Sequence, residues 1–119
     1  MQTPQTTVLS FSNDPEHLRE REVAIRNGGF SVVSVSSEVA ARFEIEMGRC
    51  GVLLICYTIL PLVSGELASF FRRSCPGGLI IVILNEEPAS DADVVISASD
   101  GADAVVRALH MNLKLSKAS

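Results

Sequence analysis

Five short runs of the chain are dense in β-branched and aliphatic residues. They are TVLSF (7–11), FSVVSV (30–35), GVLLICY (51–57), LIIVIL (79–84) and DVVIS (93–97). The third and fourth are almost wholly apolar, the signature of central parallel strands covered on both faces. The second alternates, Val33 and Val35 against Ser34 and Ser36, and predicts a half-exposed edge strand. Between the runs the polar period lengthens to that of a helix. DPEHLREREVAIRNGG opens with Asp14 as N-cap and Pro15 at the first helical position, and it stops at Gly28–Gly29. SSEVAARFEIEMG carries an apolar stripe at Val39, Phe43 and Met47 and ends on glycine. SGELASFFRR predicts a helix capped by Ser64, with Leu67, Phe70 and Phe71 inward and Arg72 and Arg73 at the dipole's negative end. DGADAVVRALHMNLK predicts a last helix starting at an Asp cap, with Val105, Leu109 and Leu113 on one stripe.

Strands and helices alternate, except between 79–84 and 93–97. There the connection NEEPASDA is acidic, holds a proline and is too short for an ordinary packed helix. The pattern predicts a parallel sheet with helices on both faces. At 119 residues, with 47% apolar and 20% charged residues, the chain fits one domain with its own core, residues 1–119, ending in a short tail at about 114–119.

Charge and cysteine usage narrow the function. A formal net charge of −4 with scattered basic residues argues against a general nucleic-acid binder, which needs clustered Lys and Arg to neutralise phosphate. No apolar run is long enough to span a bilayer. Three cysteines, Cys50, Cys56 and Cys75, with no CxxC spacing fit reduced thiols rather than a disulfide framework. No signal-peptide pattern opens the chain. The expectation is a cytoplasmic protein with no membrane and no nucleic-acid partner.

LLICYTILPLVSG (53–65) places Cys56 and the only tyrosine, Tyr57, at the end of an apolar strand. In open α/β sheets ligands bind just past the strands' carboxyl ends. The chain here resembles the receiver domain of bacterial two-component response regulators. VLSFSNDPEHLREREVAIRNGGFSVV has the rhythm of that family's first βαβ unit. Pro61 falls four residues after Tyr57 and Gly65 eight after it, and VVISASDGADAVVRAL resembles the last strand and helix. The resemblance covers nearly the whole chain. It implies a flavodoxin-like, doubly wound sheet of five parallel strands in the order 2-1-3-4-5, with the helix between strands 4 and 5 missing or much shortened.

The same resemblance implies positions for the phosphorylation machinery, and this chain departs from the pattern at each. Where receivers hold Mg²⁺ with paired acids stand Ser12 and Asn13. Where they accept phosphate on an Asp stands Tyr57. Asn85 stands at the Thr/Ser position, and Ser97 at the Lys position. A carboxylate nucleophile, a metal and a charge-stabilising cation are what aspartyl phosphorylation requires. The expectation is therefore a degenerate receiver-like module that is not an enzyme, holds no cofactor and acts through protein contacts. Because the chain ends soon after its last helix, no DNA-binding output domain is expected.

Other candidates have plainer readings beside them. Asp14, the nearest carboxylate for a cation, is first an N-cap. Tyr57 is read as an aromatic filling an emptied pocket. Cys56 could pair with His17 as a nucleophile, against the commoner reading of an inert buried thiol. Cys50 is read as packing, Cys75 as a loop thiol and His110 as a surface or partly buried side chain. Glu86, Glu87, Asp91 and Asp93 could attract a cation, although a solvated acidic loop is the simpler reading. Without a helix between them, strands 4 and 5 would leave an apolar face bare, so self-association or a protein partner is expected there. Two alternatives remain open: a phosphoreceiver with rearranged chemistry, perhaps using Asp14, and a small-ligand domain of flavodoxin-like fold.

Overall fold

The structure is a computed structural model and describes residues 6–85 and 92–113. The first strand, β1 (Thr7–Phe11), leads into α1 (Pro15–Asn27), then β2 (Ser31–Val35), α2 (Glu38–Met47) and β3 (Val52–Ile55). The chain continues through α3 (Pro61–Ser74), β4 (Leu79–Leu84) and β5 (Val94–Ser97). One 3₁₀ turn (Ala98–Asp100) precedes the last helix, α4 (Ala102–Asn112). The strands form one parallel sheet in the order β2-β1-β3-β4-β5, as the sequence implied. No helix lies between β4 and β5 among the described residues. Residues 86–91 and the tail at 114–119 lie outside them, and with them the roles suggested for Glu86, Glu87 and Asp91.

Period-two alternation along the strands sorts the core into two layers. Leu9, Phe11, Leu53, Ile55, Ile80 and Val82 face α2 and α3, where Ile45, Leu67 and Phe71 meet them. Val8, Val52, Leu54, Ile81, Ile83 and Ile96 face α1 and α4, meeting Ile25, Val105 and Leu109. Both faces of β3 are fully buried, which is why its sequence shows no alternation. Gly78 lets the chain enter β4 tight against α3: a Cβ there would stand 2.6 Å from the Phe71 ring.

Three helical details differ from the sequence reading. The α2 stripe of Val39, Phe43 and Met47 is exposed, and Ala41 and Ile45 are the residues that pack inward. Small Ala41 lets the helix sit close to the sheet, and the guanidinium of Arg49 lies 5.9 Å from the outward Phe43 ring. α3 starts at Pro61, not after Ser64, because proline's fixed φ and missing N–H suit the first helical position. α4 is entered from Gly101, whose φ of 78° favours glycine, while Asp100 ends the 3₁₀ turn and does not cap the helix.

β5 is an edge strand, and its Val95 is exposed on the sheet face that carries α2 and α3. Next to it Val82 is buried and Leu84 partly buried. The exposed apolar surface at this edge is therefore narrower than two bare strands would give. Asp93 fastens the strand pair: its carboxylate accepts the Ile80 N–H (2.8 Å) and it lies 3.3 Å from Arg72 Nη2. A carboxylate so occupied belongs to the β4–β5 junction rather than to a solvated cation loop.

Candidate functional site

Parallel strands bring all their carboxyl ends to one edge of the sheet, where helix N-termini also begin. Three connections meet there: 12–14 after β1, 56–60 after β3, and 98–101 after β5. The first two are latched together. The Asn13 N–H donates to Thr58 Oγ1 (3.2 Å), and Asn13 Nδ2 donates to the Thr58 carbonyl (3.2 Å). Ser12 is fully buried. Its hydroxyl accepts the Asp14 N–H (3.0 Å) and lies 3.4 Å from Thr58 Oγ1. The Asp14 carboxylate accepts from the N–H groups of Glu16 (2.9 Å) and His17 (3.4 Å), the capping role its place before Pro15 implied.

Cys56 is the first residue after β3. Its N–H donates to the Phe11 carbonyl, which seats it beside Ser12 at the sheet's carboxyl edge. It is 1% exposed, and its Sγ lies 3.8 Å from His17 Nδ1. The same nitrogen lies 3.6 Å from Asp14 Oδ2. One helical turn beyond His17, Arg21 is 8% exposed and its Nη1 has no hydrogen-bond partner. Burial pushes the Cys56 thiol up. Hydrogen bonds from Ser12, the Thr58 backbone and hydroxyl, and Arg21 outweigh that and hold it at about 6, below its ordinary 9.0.

Tyr57 sits one residue on, half-buried, with its ring 5.5 Å from the His17 ring at a tilt of 55°. It lines a cavity of about 100 Å³ together with His17, Arg21, Ser97, Gly101 and Ala102. Of the five positions the sequence singled out, Ser12 and Asn13 are thus joined through Thr58, and Tyr57 and Ser97 share one cavity. The Ser97 hydroxyl accepts the Ser99 N–H and opens the 3₁₀ turn. Asn85 is exposed just past β4, and among the described residues no hydrogen bond ties it to the other four. No cluster of three His, Cys, Asp or Glu side chains suited to a metal is present among the described residues. The ring of strand ends thus carries hydroxyls, an amide and a thiol. Its nearest carboxylate is occupied as a helix cap.

Two contributors went unnoticed in the sequence. Thr58 was hidden inside an apolar run, and nothing local marks it as a latch. Arg21 looked like one of several surface charges in LREREVAIR, but the i, i+4 spacing of His17, Arg21 and Ile25 was an available sign that it shares the inward face.

No protein-family model matches the chain, and no curated protein does. Solved structures do. A response regulator receiver protein from Sinorhizobium medicae superposes with a TM-score of 0.76 at 17% identity, covering 89% of this chain and 92% of that one. The Vibrio cholerae chemotaxis protein CheY4 gives 0.79 at 12% identity, covering 92% and 99%. A putative pilus assembly-related protein from Burkholderia pseudomallei gives 0.72 at 16% identity, covering 93% and 91%. With three such superpositions over nearly full length, and with the strand order observed, the chain has the receiver fold, built here with four helices and none between β4 and β5.

Proposed function

We propose that this chain is a receiver-fold signalling module that acts through protein contacts, without aspartyl phosphorylation and without catalysing a reaction, in the cytoplasm. One observation carries the reading. The carboxyl edge of the sheet, where a phosphoreceiver needs paired acids and an acceptor carboxylate, holds Ser12, Asn13, Cys56 and Tyr57. Asp14, the carboxylate next to Asn13, already accepts two backbone N–H bonds. Hard Mg²⁺ prefers carboxylate oxygen, and a neutral amide and a hydroxyl replace it poorly. The exposed Val95 on edge strand β5 supports the contact half of the reading, since unpaired strand edges and apolar side chains are what partners cover.

The test is incubation with acetyl phosphate and Mg²⁺ followed by intact mass at neutral pH. The expected result is no gain of a phosphoryl group. A stoichiometric, acid-labile or stable gain that maps to residues 10–14 or 56–58 overturns the reading in favour of a rearranged phosphoreceiver.

A further inference from the structure

Arg21 is the only buried guanidinium among the described residues. A guanidinium stays protonated at any physiological pH, and it carries N–H donors with no acceptor. Arg21 is 8% exposed, and its Nη1 has no hydrogen-bond partner, the Cys56 sulfur included. Four more exposed arginines, Arg26, Arg42, Arg49 and Arg72, each hold a carboxylate within 3.3 Å. No carboxylate forms an ion pair with Arg21 among the described residues. Buried charges are ordinarily paired and buried donors ordinarily find acceptors. Both rules ask for the same thing at Arg21, an anionic oxygen.

That oxygen has a place. Arg21 is a wall of the cavity of about 100 Å³ at the carboxyl edge of the sheet, and Gly101 and Ala102, where α4 begins, are others. No side chain caps this helix of 11 residues. Its first N–H groups have no partner inside the helix, and the positive end of its dipole lies with them. A helix N-terminus alone draws anions weakly in any fold. Here the same cavity also meets a buried guanidinium with a donor to spare. Tyr57 and Ser97 add hydroxyls to the lining, and the carboxylate among its walls, Glu20, is exposed and so solvated. A water occupies roughly 30 Å³ of liquid, so the space suits an anion of a few heavy atoms and excludes a nucleotide.

We propose that this cavity binds a small oxyanion, a carboxylate or a phosphate group, between Arg21 and the N-terminus of α4. The planar guanidinium offers paired N–H groups that match two oxygens of either group. The bound anion ties α1 to the entry of α4, and so to the 3₁₀ turn that continues from edge strand β5. The module thereby gains a reversible, ligand-borne input. Binding adds no mass to the denatured chain, so this proposal and the absence of aspartyl phosphorylation stand or fall separately.

The chain has no tryptophan and a single tyrosine, and that tyrosine lines the cavity, so its fluorescence reads the site directly. The test titrates the whole chain with sodium acetate and, separately, with sodium phosphate, against sodium chloride at equal ionic strength. The expected result is a saturable change in Tyr57 emission with one oxyanion or both, and none with chloride. The oxyanion that saturates at the lower concentration assigns the group. The melting temperature should rise with occupancy. Arg21→Met should weaken the fitted affinity about tenfold or more, the loss of a charge-assisted hydrogen bond. Arg21→Lys, which keeps the charge without the fork, should restore part of it. Ala102→Pro removes one N–H at a helical position that suits proline and should weaken binding about threefold. Circular dichroism checks that each variant folds. Absence of saturation with both oxyanions, or an equal response to chloride, overturns the proposal. So does an unchanged affinity in folded Arg21→Met or, where that variant does not fold, in Ala102→Pro.

Discussion

Cys50 and Cys56 stand at the two ends of the same strand. β3 runs from Val52 to Ile55; one cysteine precedes it and the other follows, and both are buried, at 4% and 1% exposure. Their chemistry diverges. Burial and the neighbouring Glu44 carboxylate push the Cys50 thiol up to about 11, with Arg49 only partly opposing them. At the other end the hydrogen bonds of Ser12, Thr58 and Arg21 reverse the same burial effect. The difference lies in what the parallel sheet gathers at each edge. Its amino edge meets helix C-termini, as where α2 closes on Gly48 beside Cys50. Its carboxyl edge meets helix N-termini and the loops that satisfy them with donors. The same side chain is pushed towards the neutral thiol at one edge and towards the thiolate at the other.

Three measurements would break or sharpen that contrast. The largest effect is expected for Cys56→Ala in denaturant unfolding at pH 8. It removes the thiol that the donors of Ser12, Thr58 and Arg21 favour as an anion and should cost about 2 kcal/mol. Cys50→Ala, which removes one small apolar group, should cost about 1 kcal/mol. The double variant Cys56→Ala with Arg21→Met should cost less than the sum of its parts. Equal costs for the two cysteines would mean that these donors do not rely on the sulfur.

The second is the pH dependence of those differences. The folded pKa of Cys56 is depressed, so its contribution is complete above about 9 and is lost as pH falls through about 6. The stability advantage of wild type over Cys56→Ala should therefore grow from pH 6 to pH 9. For Cys50 the folded pKa is raised, so its contribution is complete below about 9 and is lost as pH rises through about 11. The advantage over Cys50→Ala should shrink across that range. Parallel pH profiles for the two variants would erase the contrast.

The smallest effect belongs to Asp14→Ala. Loss of the α1 cap should cost about 1 kcal/mol. The thiolate titration, followed by ultraviolet absorbance, should stay near 6, because the Asp14 side chain meets the sulfur through His17, and its backbone bond to Ser12 survives the substitution. A titration that returned towards 9 would make Asp14 part of the anion's support.

The fold was legible because its signals are long and mutually consistent. Five β-like runs, helical periods between them and a connection too short for a helix at 85–92 leave few topologies, and the resemblance to receivers selected the order that the sheet has. Helix faces were harder to read. α2 has two apolar rows, Val39–Phe43–Met47 and Ala41–Ile45, and hydrophobicity favours the bulkier one. Packing distance favours the smaller, because alanine lets the helix approach the sheet. The candidate site was half legible. Ser12, Asn13 and Tyr57 followed from strand ends, but the site's charge came from Arg21, which reads as a surface residue until the turn of α1 is known. The donors of Ser12, Thr58 and Arg21 are what set Cys56 apart from Cys50.

The order β2-β1-β3-β4-β5 also places Arg21 and Cys56 on opposite sides of a journey. The chain leaves β1 for one edge of the sheet, then crosses back over it to lay down β3. Arg21 belongs to the outbound half and Cys56 to the returning half. The two halves meet only once β3 has paired with β1, so nothing that joins them is local in sequence. Interactions completed after the folding barrier slow unfolding and leave refolding nearly unchanged. An unfolding rate that shifts with the protonation of Cys56, beside an unchanged refolding rate, would place the meeting of the two halves after that barrier.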